Sequence, residues 1–243
     1  GRNRLVLGPG WPKVLGHDFA GEVIATGPRA KRFQVGDAVY GMQGLAMGAY
    51  ATHMLVAERI VAPKPASLSF EEAAALPMTS LTSLQVLRNI VGIQAGQHLL
   101  VNGASGGVGS AAVQLGKILG AEVTGVCSAR NKDLVRSLGA DHVIDYEQGD
   151  FTASGGTYDV VYDCVGDRTL AECKGVLAPR GVFVSVTTDA LKLVTGPVCN
   201  LFRRQRDTQI LVAMPSASDL LWIAEQVAAG RYRPVMDRRF ALA

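Results

Sequence analysis

Hydrophobic positions change their period several times along this chain. From Ala20 to Gly27, Gly36 to Gly41 and Ala49 to Ala57 they form short alternating or continuous runs between glycine and proline turns. That pattern predicts strands of a small barrel or sandwich. Pro63, Lys64 and Pro65 then make a stiff extended stretch, and Ser69 before Phe70, Glu71 and Glu72 is a serine-capped helix start with an acidic first turn. A helical pattern spans residues 81 to 91. His98–Asn102 is an apolar strand that enters a glycine-rich turn, and from Ser110 to Gly120 the apolar residues fall at helical spacing.

The alternation continues beyond that point. Ala121–Cys127, His142–Asp145, Tyr158–Asp163, Gly181–Val186 and Gln209–Ala213 read as strands. Between them, Asn131–Leu138 is a helix ended by Gly139, and Arg168–Leu177 is another. Ser216–Ala229 is a capped amphipathic helix, and Arg233–Met236 returns as an extended strand. Strands alternating with helices imply an α/β fold, a doubly wound parallel sheet joined to a smaller β-rich domain. The expected division is 1–68 for the β-rich domain, 69–213 for the parallel sheet, and 214–243 for a helix and strand that return to the first domain.

The turn after His98–Asn102 carries the first candidate chemistry. Ala104, Ser105, Gly106, Gly107, Val108 and Gly109 make an AxGxxG pattern between a strand and a helix, the opening of a dinucleotide-binding βαβ unit. Gly106 lets the backbone approach a pyrophosphate, Gly109 lets the helix pack closely, and the helix start offers amides and a positive dipole end to phosphate. A tight turn that binds nothing is the plainer reading of the same residues. At about 20 residues further on, where NAD sites place an acid for the ribose hydroxyls, the strand Ala121–Cys127 is followed by Ser128, Arg130 and Lys132. A hydroxyl and two cations there favour a 2′-phosphate, hence NADPH. A solvated helix start is the alternative for Arg130 and Lys132.

Composition narrows the function classes. The chain has 243 residues, 48% hydrophobic and 19% charged, with a formal net charge of +3, enough to bury a large core. Basic residues are scattered apart from Arg203, Arg204 and Arg206, a cluster read as a solvated loop, so no nucleic-acid partner is indicated. No apolar run is long enough to span a bilayer, and the first residues lack a signal-peptide pattern, so no membrane partner and a cytoplasmic location are expected. Cys127, Cys164, Cys173 and Cys199 are far apart with no CxxC, which predicts reduced thiols and neither a disulfide framework nor a zinc knuckle.

Several motifs in order carry a family resemblance. Gly16–Val23, Val35–Gly41, Gly48–Ala51, Ala73–Pro77 and Asn102–Gly109 together resemble the medium-chain dehydrogenase/reductase superfamily, in its zinc-independent quinone oxidoreductase branch. The resemblance implies a GroES-like catalytic domain beside a Rossmann domain, with the active site in the cleft between them. It also implies further strands before Gly1 and more sheet and helix after Ala243, so that the GroES-like part is partial. Asp163, Cys164, Val165 and Gly166 would border the nicotinamide. Tyr146 would reach the 2′-phosphate, or be simply a half-buried tyrosine. His17 and Asp18 match a position where zinc alcohol dehydrogenases hold a ligand, but Met78 stands at the position of a cysteine ligand, so no metal site is expected.

The activity so implied is an NADPH-dependent transfer of hydride to a quinone or an α,β-unsaturated carbonyl. No side chain stands out as the proton donor. A zinc-type alcohol dehydrogenase and a non-catalytic, crystallin-like NADPH-binding protein are the alternatives. The sixth strand is an edge through which a homodimer would pair.

Overall fold

The computed structural model describes residues 14–44, 47–186, 205–209 and 213–240. In chain order the described strands are β1 (Asp18–Glu22), β2 (Ala38–Met42), β3 (Val61–Pro63), β4 (His98–Asn102), β5 (Glu122–Cys127), β6 (His142–Asp145), β7 (Tyr158–Asp163), β8 (Leu177–Ser185) and β9 (Arg206–Gln209). The described α-helices are α1 (Phe70–Ala74), α2 (Pro77–Leu84), α3 (Gly107–Ile118), α4 (Lys132–Ser137), α5 (Leu170–Cys173) and α6 (Ala217–Ala228). Contacts divide the chain into two compact units, Gly1–Leu81 with Ala213–Ala243, and Thr82–Val212.

In the first unit β1, β2 and β3 form an antiparallel sheet in that order. Phe19, Val39, Ile60 and Val61 make its core, with Val23, Phe33, Ala49, Met54 and Val56 packed against them. The segment Ala49–Ala57 is therefore not the third strand. Its apolar residues mark packing onto that core without a backbone ladder, and Val61–Pro63 pairs with β2 instead. Pro63 is tolerated because β3 is an edge strand.

Helix α1 begins with a capping box: Glu72 N donates to Ser69 Oγ at 3.2 Å and Ser69 N to Glu72 Oε2 at 2.8 Å. It packs against β1 and β2. Residues 69–81 consequently group with the β-rich unit, whereas the sequence pattern assigned them to the parallel sheet. Helix α6, capped by Ser216, packs on β3, and the Tyr40 hydroxyl donates to the Leu220 carbonyl at 2.6 Å. Arg233–Met236 is not a strand and joins neither described sheet; Pro234 has no N–H to give a ladder.

The second unit is a six-stranded sheet of order β6-β5-β4-β7-β8-β9, parallel throughout. Counted from β4 this is 3-2-1-4-5-6, and the order reverses between β4 and β7, where doubly wound folds open their ligand crevice. Leu99, Leu100, Val101, Val160 and Val161 are buried, as central parallel strands require. Each such side chain contributes about 1.5–3 kcal/mol by leaving water. A Cβ on Gly116 would lie 2.7 Å from Leu99 Cδ2, so α3 sits close against β4.

Three expected elements shift. The pattern over 81–91 divides into α2 and a π-helical stretch, Gln85–Val91, ended by Gly92 at φ +67°. The helix expected over Arg168–Leu177 is only Leu170–Cys173, because Thr169 and Glu172 form a second capping box that sets its start and Leu177 already belongs to β8. The sixth strand is Arg206–Gln209, earlier than Gln209–Ala213, and residues 210–212 lie outside the described residues.

Candidate functional site

Strand β4 delivers its last residue, Asn102, to the reversal point, and the turn that follows depends on glycine at 103. Gly103 has φ +79°, and a Cβ there would lie 2.7 Å from Val165 Cγ2. The amides of Gly103 and Ala104 both donate to the Val126 carbonyl, at 3.1 and 2.9 Å, tying the turn to β5. Ala104 keeps an ordinary φ, and its buried methyl rests over Gly125, whose own Cβ would come within 3.0 Å of it. The alanine of AxGxxG is accommodated because the left-handed residue is the one before it and the facing strand is bare.

Gly106 is the N-cap of α3 and brings no side chain to cap it, so no side chain occupies the first-turn amides of this 12-residue helix, which starts at the exposed Gly106 and Gly107. Gly109 has no room for a Cβ: it would run into the Gly103 carbonyl and lie 2.9 Å from Ala104 Cα. Ser105, Gly107 and Val108 complete the turn, and the Ser83 hydroxyl donates to the Val108 carbonyl at 2.8 Å.

The end of β5 is bound to this turn by a residue that the sequence pattern did not single out. Asn131 donates its side-chain amide to Ser105 Oγ at 3.1 Å and to Ser128 Oγ at 3.3 Å. Ser128 is buried, while Arg130 is exposed and has no ion-pair or hydrogen-bond partner among the described residues. Lys132 behaves differently. Its Nζ pairs with Asp145 Oδ2 at 3.0 Å, and the two side chains are only 25% and 3% exposed.

Asp145 ends β6 directly opposite Cys127, the last residue of β5. The acid that is missing after β5 in the linear sequence thus arrives from the next strand. Asp145 also accepts from Glu147 N at 3.1 Å and Gln148 Nε2 at 3.0 Å. Burial pushes its carboxyl up, but Lys132 and these donors outweigh that and hold it below its ordinary value. Tyr146 follows, tethered by its amide to the Cys127 carbonyl at 3.2 Å, and the residue is 58% exposed.

Across the reversal point, Asp163 at the end of β7 organises the Cys164–Gly166 loop. Its buried carboxylate accepts from Asn102 Nδ2 at 3.0 Å, Val165 N at 3.2 Å, Gly166 N at 3.0 Å and Arg168 N at 3.1 Å. Cys164 N donates to the Asn102 carbonyl at 3.0 Å. Burial, with Asp163 beside it, pushes the Cys164 thiol well above its ordinary value, which makes it a poor nucleophile. The structure therefore brings 103–109, 128–132, 145–146 and 163–166 to the carboxyl end of one sheet. Cys199, Arg203 and Arg204 lie outside the described residues; Arg206 is an exposed residue of β9.

In the first unit, His17 Nδ1 donates to the Gly44 carbonyl at 2.6 Å and Asp18 Oδ1 accepts the Met78 amide at 2.9 Å. Burial raises the Asp18 carboxyl to about 7. A catalytic zinc needs three protein ligands, and this pair with a Met thioether does not fit that set. Among the described residues no three His, Cys, Asp or Glu side chains gather to hold a metal ion, and no helix is long and apolar enough to cross a membrane.

Two family models match the chain, an alcohol dehydrogenase GroES-like domain over residues 3–66 and a zinc-binding dehydrogenase domain over residues 138–243. A chloroplast envelope quinone oxidoreductase homolog of Arabidopsis thaliana is 33% identical over 242 residues, 96% of this chain and 74% of its own length. A 2-methylene-furan-3-one reductase of Solanum lycopersicum is 42% identical over 164 residues, 64% of this chain and 42% of its own. The structure of the quinone oxidoreductase from Coxiella burnetii superposes with a TM-score of 0.88 at 31% identity, covering 100% of this chain and 76% of that one.

Proposed function

The chain belongs to the medium-chain dehydrogenase/reductase superfamily, and from that premise we propose an oxidoreductase that passes hydride from NADPH to a quinone or an α,β-unsaturated carbonyl. A nicotinamide cofactor is common to the family. The observation that carries the reading is the uncapped start of α3 at the strand-order reversal, where open amides and the bare Gly106 suit a pyrophosphate.

Within this reading, Ala104, Ser105, Gly106, Gly107, Val108 and Gly109 hold the pyrophosphate. Ser128, Arg130, Lys132 and Tyr146 face the adenosine ribose with its 2′-phosphate. Cys164, Val165 and Gly166 border the nicotinamide, on a loop that Asp163 keeps rigid through its hydrogen bonds. When bound, NADPH supplies the hydride. A quinone or enone is already activated by conjugation, so its oxygen takes the electron pair without a metal Lewis acid, and solvent supplies the proton. The His17, Asp18 and Met78 donor set supports a zinc-independent site. The names of the Arabidopsis and tomato relatives, a quinone oxidoreductase homolog and a reductase of a furanone bearing a methylene group, fit both acceptor classes.

The test is loss of NADPH absorbance with a panel of quinones, enones and simple alcohols with their ketones. Oxidation with the conjugated acceptors and none with the ketones is expected. A chain that binds NADPH and reduces nothing in the panel would instead be a non-catalytic nucleotide binder.

A further inference from the structure

Asp145 occupies a position that the NADPH reading does not use. The parallel register sets it opposite Cys127, so a carboxylate stands at the end of β5 beside Ser128, Arg130 and Lys132. Dinucleotide folds discriminate between a ribose 2′-hydroxyl and a 2′-phosphate at that end of the sheet. Arg130, Lys132 and Asp145 together sum to a single positive charge.

The pair with Lys132 differs from an ordinary surface ion pair. Asp145 is 3% exposed and Lys132 25%, so water screens their attraction weakly. The carboxylate is also fixed by Glu147 N and Gln148 Nε2 and has no freedom to swing away when an anion arrives. Lys132 would have to share its ammonium between Asp145 and a phosphate dianion that the same carboxylate repels. Arg130, exposed and unpaired among the described residues, has no such competitor.

Resting on the proposed NADPH site, we propose that Asp145 is a specificity-setting residue: by holding Lys132 in an ion pair it leaves Arg130 as the main contact for the 2′-phosphate and keeps discrimination against NADH moderate. Lys132 is then largely a structural partner of Asp145, and the cofactor preference is tuned by a residue one strand away from the usual acid.

Titrating NADPH and NADH into the unmodified chain, Asp145→Asn, Lys132→Ala, Arg130→Ala and the Asp145→Asn/Lys132→Ala double variant tests this by dissociation constants, with no turnover required. Releasing a charge-assisted contact predicts that Asp145→Asn tightens NADPH by about tenfold and leaves NADH within about twofold. Lys132→Ala alone should weaken NADPH by less than about threefold, and in the double variant the gain should vanish. Selective weakening of NADPH by Asp145→Asn, an unchanged ratio, or a loss beyond about tenfold in Lys132→Ala would each overturn the proposal, the last of them whether or not the Asp145 variant folds. Arg130→Ala separates the two ideas. If it leaves NADPH binding intact, the 2′-phosphate reading itself fails; if it weakens NADPH while Asp145→Asn does nothing, only the role of Asp145 falls.

Discussion

Asn102 Nδ2 donates to Asp163 Oδ1 at 3.0 Å, joining the last residues of β4 and β7 across the line where the strand order reverses. The same carboxylate accepts the amides of Val165, Gly166 and Arg168, so the Cys164–Gly166 loop is suspended from a single buried group. Asp163→Ala strands those donors in a buried site and should destabilise the second unit by about 3–5 kcal/mol. Urea unfolding checks this, and an effect below about 1 kcal/mol would show that the loop is held by other contacts.

Gly106 and Gly109 separate binding from folding. A Cβ at Gly106 would meet only the Gly103 carbonyl, at 3.4 Å, an ordinary contact, whereas at Gly109 it would overlap the turn. Gly106→Ala should therefore change stability by no more than about 1 kcal/mol yet weaken NADPH by about tenfold or more, because the methyl stands where phosphate must approach. Gly109→Ala should lower the melting temperature and abolish binding together. Equal behaviour of the two variants in paired thermal and binding measurements contradicts the assignment.

Asp18 predicts a pH dependence in the first unit. Its carboxyl is raised from 3.8 to about 7 by burial, against the lowering effect of the Met78 amide. Between those values the native state holds the proton more tightly than the unfolded chain, so this group makes stability fall as pH rises from about 4 to about 7, with no further change above. Asp18→Asn keeps an oxygen acceptor for the Met78 amide and cannot ionise. Its melting temperature should match the unmodified protein at pH near 4 and exceed it at pH near 8. Parallel curves for the two proteins across that range would contradict the prediction.

Metal removal should be without effect. The His17, Asp18 and Met78 donor set falls short of a zinc site, so dialysis against a chelator should leave NADPH oxidation unchanged and elemental analysis should find zinc well below stoichiometric. Activity lost to the chelator and restored by zinc would reverse this.

The parallel sheet was legible in the sequence because β4, β5, β7 and most of β8 are short apolar runs between turns, and because glycine is required at 103 by a left-handed φ and at 109 by a close approach, whereas β9, Arg206–Gln209, is polar throughout and carries no such signal. What one dimension hides is register. Asp145 is a neighbour of Lys132 only because β6 lies beside β5, and no spacing along the chain brings an acid to the end of β5. Ala49–Ala57 misleads for the opposite reason: alternating apolar residues there record contact with a core, and the ladder they suggest is formed by Val61–Pro63. Asn131 was hidden among the polar residues of a helix start; a short amide within reach of serines on two turns was the available signal.

The helix that begins at Gly106 without a side-chain cap has a consequence for the survival of the protein in a cell. In the proposed NADPH site, a nucleotide phosphate seated on those amides would supply the missing cap and so become part of the folded state. At a free concentration about a hundred times its dissociation constant, such a ligand adds about 2.7 kcal/mol to the native state. Proteases that cut transiently opened chains sample that equilibrium, so starvation for the reduced nucleotide should shorten the lifetime of the protein, and abundance should follow cofactor supply.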